Sequence, residues 1–89
     1  MEEVLISKPT EAQVKEASTW PIWTKEISAF DMNYSNTERC LILEGEVRVE
    51  VGNNKYYFNG GDYVVFPKGL KCRWIILKPV RKHYNFESD

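Results

Sequence analysis

Histidine is nearly missing from this 89-residue chain, which holds one, His83, near its C-terminal end. A metal centre built mainly on imidazoles is therefore not available to it, and any metal would need other ligands. Cysteine is scarce too. Cys40 and Cys72 stand alone, without CxxC or CxxH spacing, so they form neither a zinc-binding pattern nor a redox dithiol. With no secretory leader in the sequence, they point to reduced thiols in a cytoplasmic protein. No apolar run approaches the roughly 20 residues that span a bilayer, which excludes a membrane protein with a spanning helix. The longest run, Trp74 to Leu77, reads as a buried strand. Charge of one sign is also lacking: 12 basic against 13 acidic residues give a net charge of −1. A nucleic-acid partner would call for a clustered basic excess. The nearest approach, Lys78, Arg81, Lys82 and His83 interrupted by Pro79, reads as a solvated strand end.

The length allows one domain over residues 1–89 and no second lobe. So short a chain buries only roughly 60–65% of the surface its unfolded form exposes, which favours packing as a homodimer. Aromatic residues, at 13% of the chain, are generous for such a core and fit either a filled barrel or a sticky outer face.

The chemistry of the strands and turns is legible. Val4 to Ile6 predicts a short edge strand stopped by Lys8-Pro9. Thr10 has the features of a helix N-cap with Gln13 at the capping-box position, so the spacing predicts a helix over Glu11 to Ala17. Trp20-Pro21-Ile22-Trp23 follows as an aromatic connector. Lys25 to Phe30 is expected to form a strand whose inward set is Ile27 with Ala29, or Phe30 after an irregular step. From Glu38 onward the pattern is strongly β. Glu38 to Leu43 reads as a strand ending at a Gly45 corner, and Glu46 to Val51 alternates valines with charges, the mark of a half-exposed antiparallel strand. Gly52-Asn53-Asn54 is a hairpin turn. Further strands run over Lys55–Phe58, Tyr63–Phe66 and Cys72–Leu77, with Pro79 interrupting before a last extended piece, Val80–Phe86. Seven to nine short strands, one helix and no linker make an all-β sandwich or barrel.

Two stretches resemble the signature motifs of the cupin superfamily, small double-stranded β-barrels that often carry a metal. In the first, Glu38 is followed after six residues by Gly45; in the second, Gly61, Pro67 and Gly69 recur at the motif spacing. The resemblance implies a double-stranded β-helix, the cupin or jelly-roll barrel, with one short N-terminal helix, a barrel core of about residues 25–86 and the first strand and helix in 1–19. The positions that hold histidines in cupins fall here on Asp31 and Asn33, or on Met32 and Tyr34 with the shorter spacing, and Cys72 stands at the histidine of the second motif. More narrowly, Phe30-Asp31, Thr37-Glu38-Arg39-Cys40, Leu43 to Val47, Phe66 to Gly69, Cys72-Arg73-Trp74 and Pro79 to Tyr84 are similar to small single-domain cupins related to ureidoglycine aminohydrolase. The members with that activity have two cupin domains and a manganese ion held mainly by histidines. This chain has one domain and lacks those ligands.

In the cupin arrangement Glu38 and Cys72 point into the barrel, and strand alternation puts Cys40 with Glu38 and Trp74 with Cys72. The expected cavity is therefore lined by Glu38, Cys40, Cys72 and Trp74, capped by Trp20 or Trp23, with Lys68 and Lys71 at the mouth to attract a carboxylate. A buried Glu38 is a candidate general acid or base, or else pairs with a pocket lysine and completes the wall. Cys72 is a candidate nucleophile or soft metal ligand; a zinc, nickel or manganese ion would take Glu38 and Cys72, with Cys40 and His83 completing a four-ligand set. The plainer reading makes both cysteines small buried hydrophobes, which free cysteines usually are. Three functions follow: binding of a small polar metabolite, an enzymatic activity related to ureidoglycine aminohydrolase, and a non-catalytic dimerisation module pairing the strands Val4–Ile6 or Glu46–Val51 between two chains.

Overall fold

The computed structural model describes residues 3–89. Its elements in chain order are β1 (Leu5–Ser7), α1 (Glu11–Ala17), β2 (Ile22–Lys25), β3 (Ser28–Asn33), β4 (Glu38–Val51), β5 (Asn54–Asn59), β6 (Tyr63–Phe66) and β7 (Lys71–Phe86). The capping box closes as the sequence predicts: Gln13 N donates to Thr10 Oγ1 at 3.1 Å and Thr10 N donates to Gln13 Oε1 at 2.9 Å. That satisfies two of the donors a helix start leaves orphaned and sets α1 at Glu11.

Two strands are far longer than the sequence pattern indicates. β4 runs through Gly45 and β7 runs through Pro79, where a corner and an interruption were expected. The two breakers lie against each other. The pairing of β4 with β7 shifts register around Glu44 and Glu46, and a Cβ on Gly45 would stand 2.7 Å from the Pro79 carbonyl oxygen. Gly45, at φ +114°, lets both strands bend together without parting. Each long strand thus serves both ends of one seven-stranded sheet. The first half of β4 lies between β6 and the second half of β7, with β1 and β2 at the edges. The second half of β4 lies between β5 and the first half of β7, which β3 also flanks. This is the all-β double-stranded barrel with one short helix that the motifs imply.

Bending rather than breaking also corrects a local expectation. Glu46–Val51 is paired on both sides and has no free edge, so it is not available for pairing between chains; β1, bonded only to β6, is an edge. In β3 the second of the two expected inward sets holds: Phe30 is half-buried with Ser28 and Met32, while Ile27 and Ala29 are exposed. The strand starts at Ser28, not at Lys25, where Ser28 Oγ donates to the Glu26 carbonyl, and Phe30 stands in register with Trp74.

The barrel interior is filled by Val4, Cys40, Ile42, Val47, Val49, Phe58, Val64, Phe66, Trp74 and Ile76, all nearly inaccessible to solvent. Trp74 is its centre, with Phe58, Phe66, Phe30 and Trp23 rings at 5.5–5.9 Å. Outside, α1 packs against β4 and β7 through the fully buried Ala17. Among the described residues, no helix is long and apolar enough to cross a membrane.

A candidate ligand site at Glu38 and Lys82

Glu38 opens β4 and points inward, 3% exposed. The same parity carries Cys40 and Ile42 into the core and leaves Arg39 outside, paired with Glu87. Opposite, the inward alternation of β7 runs Cys72, Trp74, Ile76, then past the bend to Val80 and Lys82. Lys82 is 4% exposed, and its ammonium donates to Glu38 Oε2 at 3.0 Å. It also lies 3.5 Å from Cys40 Sγ and sits 4.7 Å from the Trp74 ring centre and 4.8 Å from that of Trp23. A lysine is buried like this only when paired and bonded, and both conditions are met here. The aromatic faces add roughly 0.5–2 kcal/mol of attraction each where water is excluded.

The pair forms the polar end of a cavity of about 210 Å³, whose remaining walls are Trp23, Phe30, Met32, Trp74, Tyr84 and Phe86. Glu38 Oε1 is buried and has no hydrogen-bond partner. The site is thus a mostly apolar slot with one unused acceptor and an ammonium at its end.

The expected site residues distribute unevenly around this slot. Glu38, Trp74 and Trp23 line it. Cys40, its sulfur 3.5 Å from Lys82 Nζ, and Cys72 are both buried in the core, and neither lines the cavity expected around them. Trp20 is half-buried and does not line the cavity; its carbonyl oxygen accepts from His83 Nδ1 at 2.9 Å. Lys68 is exposed and reaches the Asp89 carbonyl oxygen at 2.7 Å. Lys82 is the residue that sequence reasoning missed. Taking Pro79 as an interruption discarded the alternation from Cys72 that, continued, places Lys82 inside; Tyr84 and Phe86 were lost for the same reason.

The histidine positions of the first motif are also decided. Asp31 and Asn33 are exposed, whereas Met32 lines the cavity and Tyr34 is buried, so the shorter spacing holds. These residues do not fit a manganese ion of the kind that ureidoglycine aminohydrolases hold. The Tyr34 hydroxyl accepts from Trp74 Nε1 at 3.0 Å, and burial, reinforced by the Glu38 charge, holds its phenol far above the ordinary range. Burial, then Glu38 and Asp31, pushes the Cys72 thiol up to about 11, so it is protonated at neutral pH and a poor ligand. Glu38 itself is neutralised by Lys82, whose charge opposes a second cation beside it. Among the described residues no three His, Cys, Asp or Glu side chains converge on one point.

The model of the EutQ-like cupin domain matches residues 12–84. The chain belongs to that family. The cupin is also similar, at 53% identity, to a DUF861 family protein from Thermotoga maritima whose crystal structure superposes with a TM-score of 0.90, covering 96% of this chain and 100% of that one. An ethanolamine utilization protein Q from Salmonella typhimurium shares 20% identity at a TM-score of 0.68, over 93% of this chain and 68% of that chain. The EutQ protein of Clostridium difficile shares 16% at 0.69, over 96% and 68%. The last two likenesses speak for the fold alone. No curated protein sequence matches this cupin.

Proposed function

We propose that this cupin binds a small, uncharged, partly planar molecule in the slot between Glu38 and Lys82, with a hydrogen-bond donor turned to Glu38 and an apolar or aromatic body between the rings. The observation that carries this reading is Glu38, a residue of the cavity wall whose Oε1 is buried without a hydrogen-bond partner. An orphaned buried acceptor costs about 1–3 kcal/mol, which a ligand supplying an N–H or O–H recovers. The salt bridge already cancels the charge at this end, so a carboxylate ligand meets Glu38 unfavourably and a primary amide or an alcohol does not. The aromatic walls supply area and shape; the ion pair supplies orientation.

Benzamide and benzoate separate these features. Benzamide is expected to raise the melting temperature with dose, since a ligand at a hundred times its Kd adds about 2.7 kcal/mol. Benzoate, of the same shape but without a donor, is expected to bind at least about tenfold more weakly, a difference of about 1.4 kcal/mol. Equal binding of the two, or benzamide binding unchanged in a folded Glu38→Gln variant, would count against the site. The motif likeness to ureidoglycine aminohydrolases supports a nitrogen-rich amide or ureide as one member of this ligand class.

A second reading is assembly. Ile27, Leu77 and Tyr57 expose 64%, 44% and 59% of their surface on the outside of the sheet formed by β3, β7, β4 and β5. A second copy covering this face would form a homodimer, and light scattering of the wild type against Leu77→Lys tests it: a wild-type monomer at micromolar concentration ends this reading.

A further inference from the structure

We infer that Lys82 condenses with the carbonyl group of an aldehyde or ketone held in the slot, forming an imine. The inference rests on the reading of the slot as a ligand site and names a reactive substrate class for it. Three features carry it. Lys82 is one of the residues that line a cavity of about 210 Å³, large enough for a small carbonyl compound. A carboxylate lies 3.0 Å from that nitrogen, and its second oxygen has no other bond. The nitrogen is ringed by Trp23 and Trp74 faces.

The chemistry balances without another reactant. The ammonium passes one proton to Glu38, and the freed nitrogen lone pair attacks the carbonyl carbon while the C=O π pair moves to oxygen. Glu38 returns the proton to that oxygen, giving a carbinolamine. Transfer of a second proton from nitrogen to oxygen by the same carboxylate expels water and leaves a protonated imine. One ammonium and one carbonyl compound thus become one iminium and one water, with the positive charge kept on Nζ. The groups that stabilise the ammonium, the Glu38 carboxylate and the two indole faces, stabilise the iminium in the same place. The apolar walls restrict the water that would hydrolyse it.

Reductive trapping tests this on the whole protein. The cupin is incubated with benzaldehyde or propanal and cyanoborohydride at neutral pH, digested, and mapped by mass spectrometry, with the exposed Lys15 and Lys55 as internal references. The expected result is an adduct on Lys82 formed about a hundredfold faster than on the references, the low end of what a positioned acid–base supplies. Glu38→Gln is expected to abolish that excess while circular dichroism shows the fold retained. Labelling of Lys82 no faster than of Lys15 overturns the inference. If benzamide stabilises the protein and yet no Lys82 adduct forms, the slot stands as a ligand site and the imine chemistry falls alone.

Discussion

The Lys82 ammonium meets the Glu38 carboxylate at 3.0 Å although Lys82 stands opposite Ile42 in the strand register and Glu38 stands opposite Phe86. The lysine side chain runs along the inside of the sheet, past Cys40, to reach its partner. Nearly all of that side chain is out of solvent. The ion pairs outside differ. Arg81–Glu44, Lys78–Glu46 and Arg73–Asp31 all have partly or largely exposed partners, and such pairs contribute about 0–1 kcal/mol each.

Removing one member of the buried pair leaves the other charged and unpaired. Lys82→Ala is therefore expected to cost about 3–5 kcal/mol, whereas the double variant Glu38→Leu with Lys82→Met recovers most of that loss. For a domain of this size each kcal/mol corresponds to about 4–8 °C in melting temperature, so thermal denaturation resolves the two. A double variant no more stable than the single one would show that packing, not charge, sets the cost.

Gly45 and Gly52 both have positive φ but differ in surroundings. A Cβ at Gly45 meets Pro79 O at 2.7 Å and Val80 Cα at 2.8 Å, both backbone atoms, while at Gly52, φ +58°, nothing lies within 4 Å. Gly45→Ala is expected to destabilise by about 3 kcal/mol or more, because two strands must separate at their shared bend. Gly52→Ala is expected to cost about 1–2 kcal/mol from backbone conformation alone. Urea midpoints in the opposite order would contradict the paired bend.

Tyr34→Phe removes the acceptor of the Trp74 indole N–H deep in the core. The ring stack with Phe66, at 4.9 Å, is preserved, so the loss isolates the hydrogen bond. An unpaired buried donor predicts a cost of about 1–3 kcal/mol by chemical denaturation. Stability equal to wild type would mean that water reaches Trp74 Nε1.

Both thiols ionise later in the folded chain than in the unfolded one. Burial is the main cause at each; at Cys40 it prevails over the nearby Lys82 charge, and at Cys72 the Glu38 charge adds to it. Unfolded thiols release protons from 9.0 upward, while folded Cys72 holds its proton to about 11. The unfolded state therefore binds fewer protons in that window, and stability is expected to fall as pH rises from about 9 to about 11, being fully present below. Iodoacetamide at pH 8 should accordingly leave both cysteines largely unmodified until the chain is unfolded. Rapid native-state alkylation of Cys72 would refute the direction of the shift.

The local chemistry of the chain was sufficient for much of its architecture. Thr10 and Gln13 specify where α1 begins, the valine–charge alternation specifies the face of β4 around Val47 and Val49, and the Glu38–Gly45 and Gly61–Pro67–Gly69 spacings specify a cupin barrel. These are short-range constraints, each settled by neighbours a few residues apart. What lay beyond them is the behaviour of Gly45 and Pro79. Each breaks a strand when read alone, yet paired across two strands they make a bend that keeps the hydrogen-bonded ladder running on either side. Inward parity then extends to Val80 and Lys82, and a lysine that composition assigns to solvent becomes the partner of Glu38. Burying an ammonium is tolerable only where a carboxylate and aromatic faces already wait for it, and those come from β2, β4 and the first half of β7. Only the closed barrel brings them together.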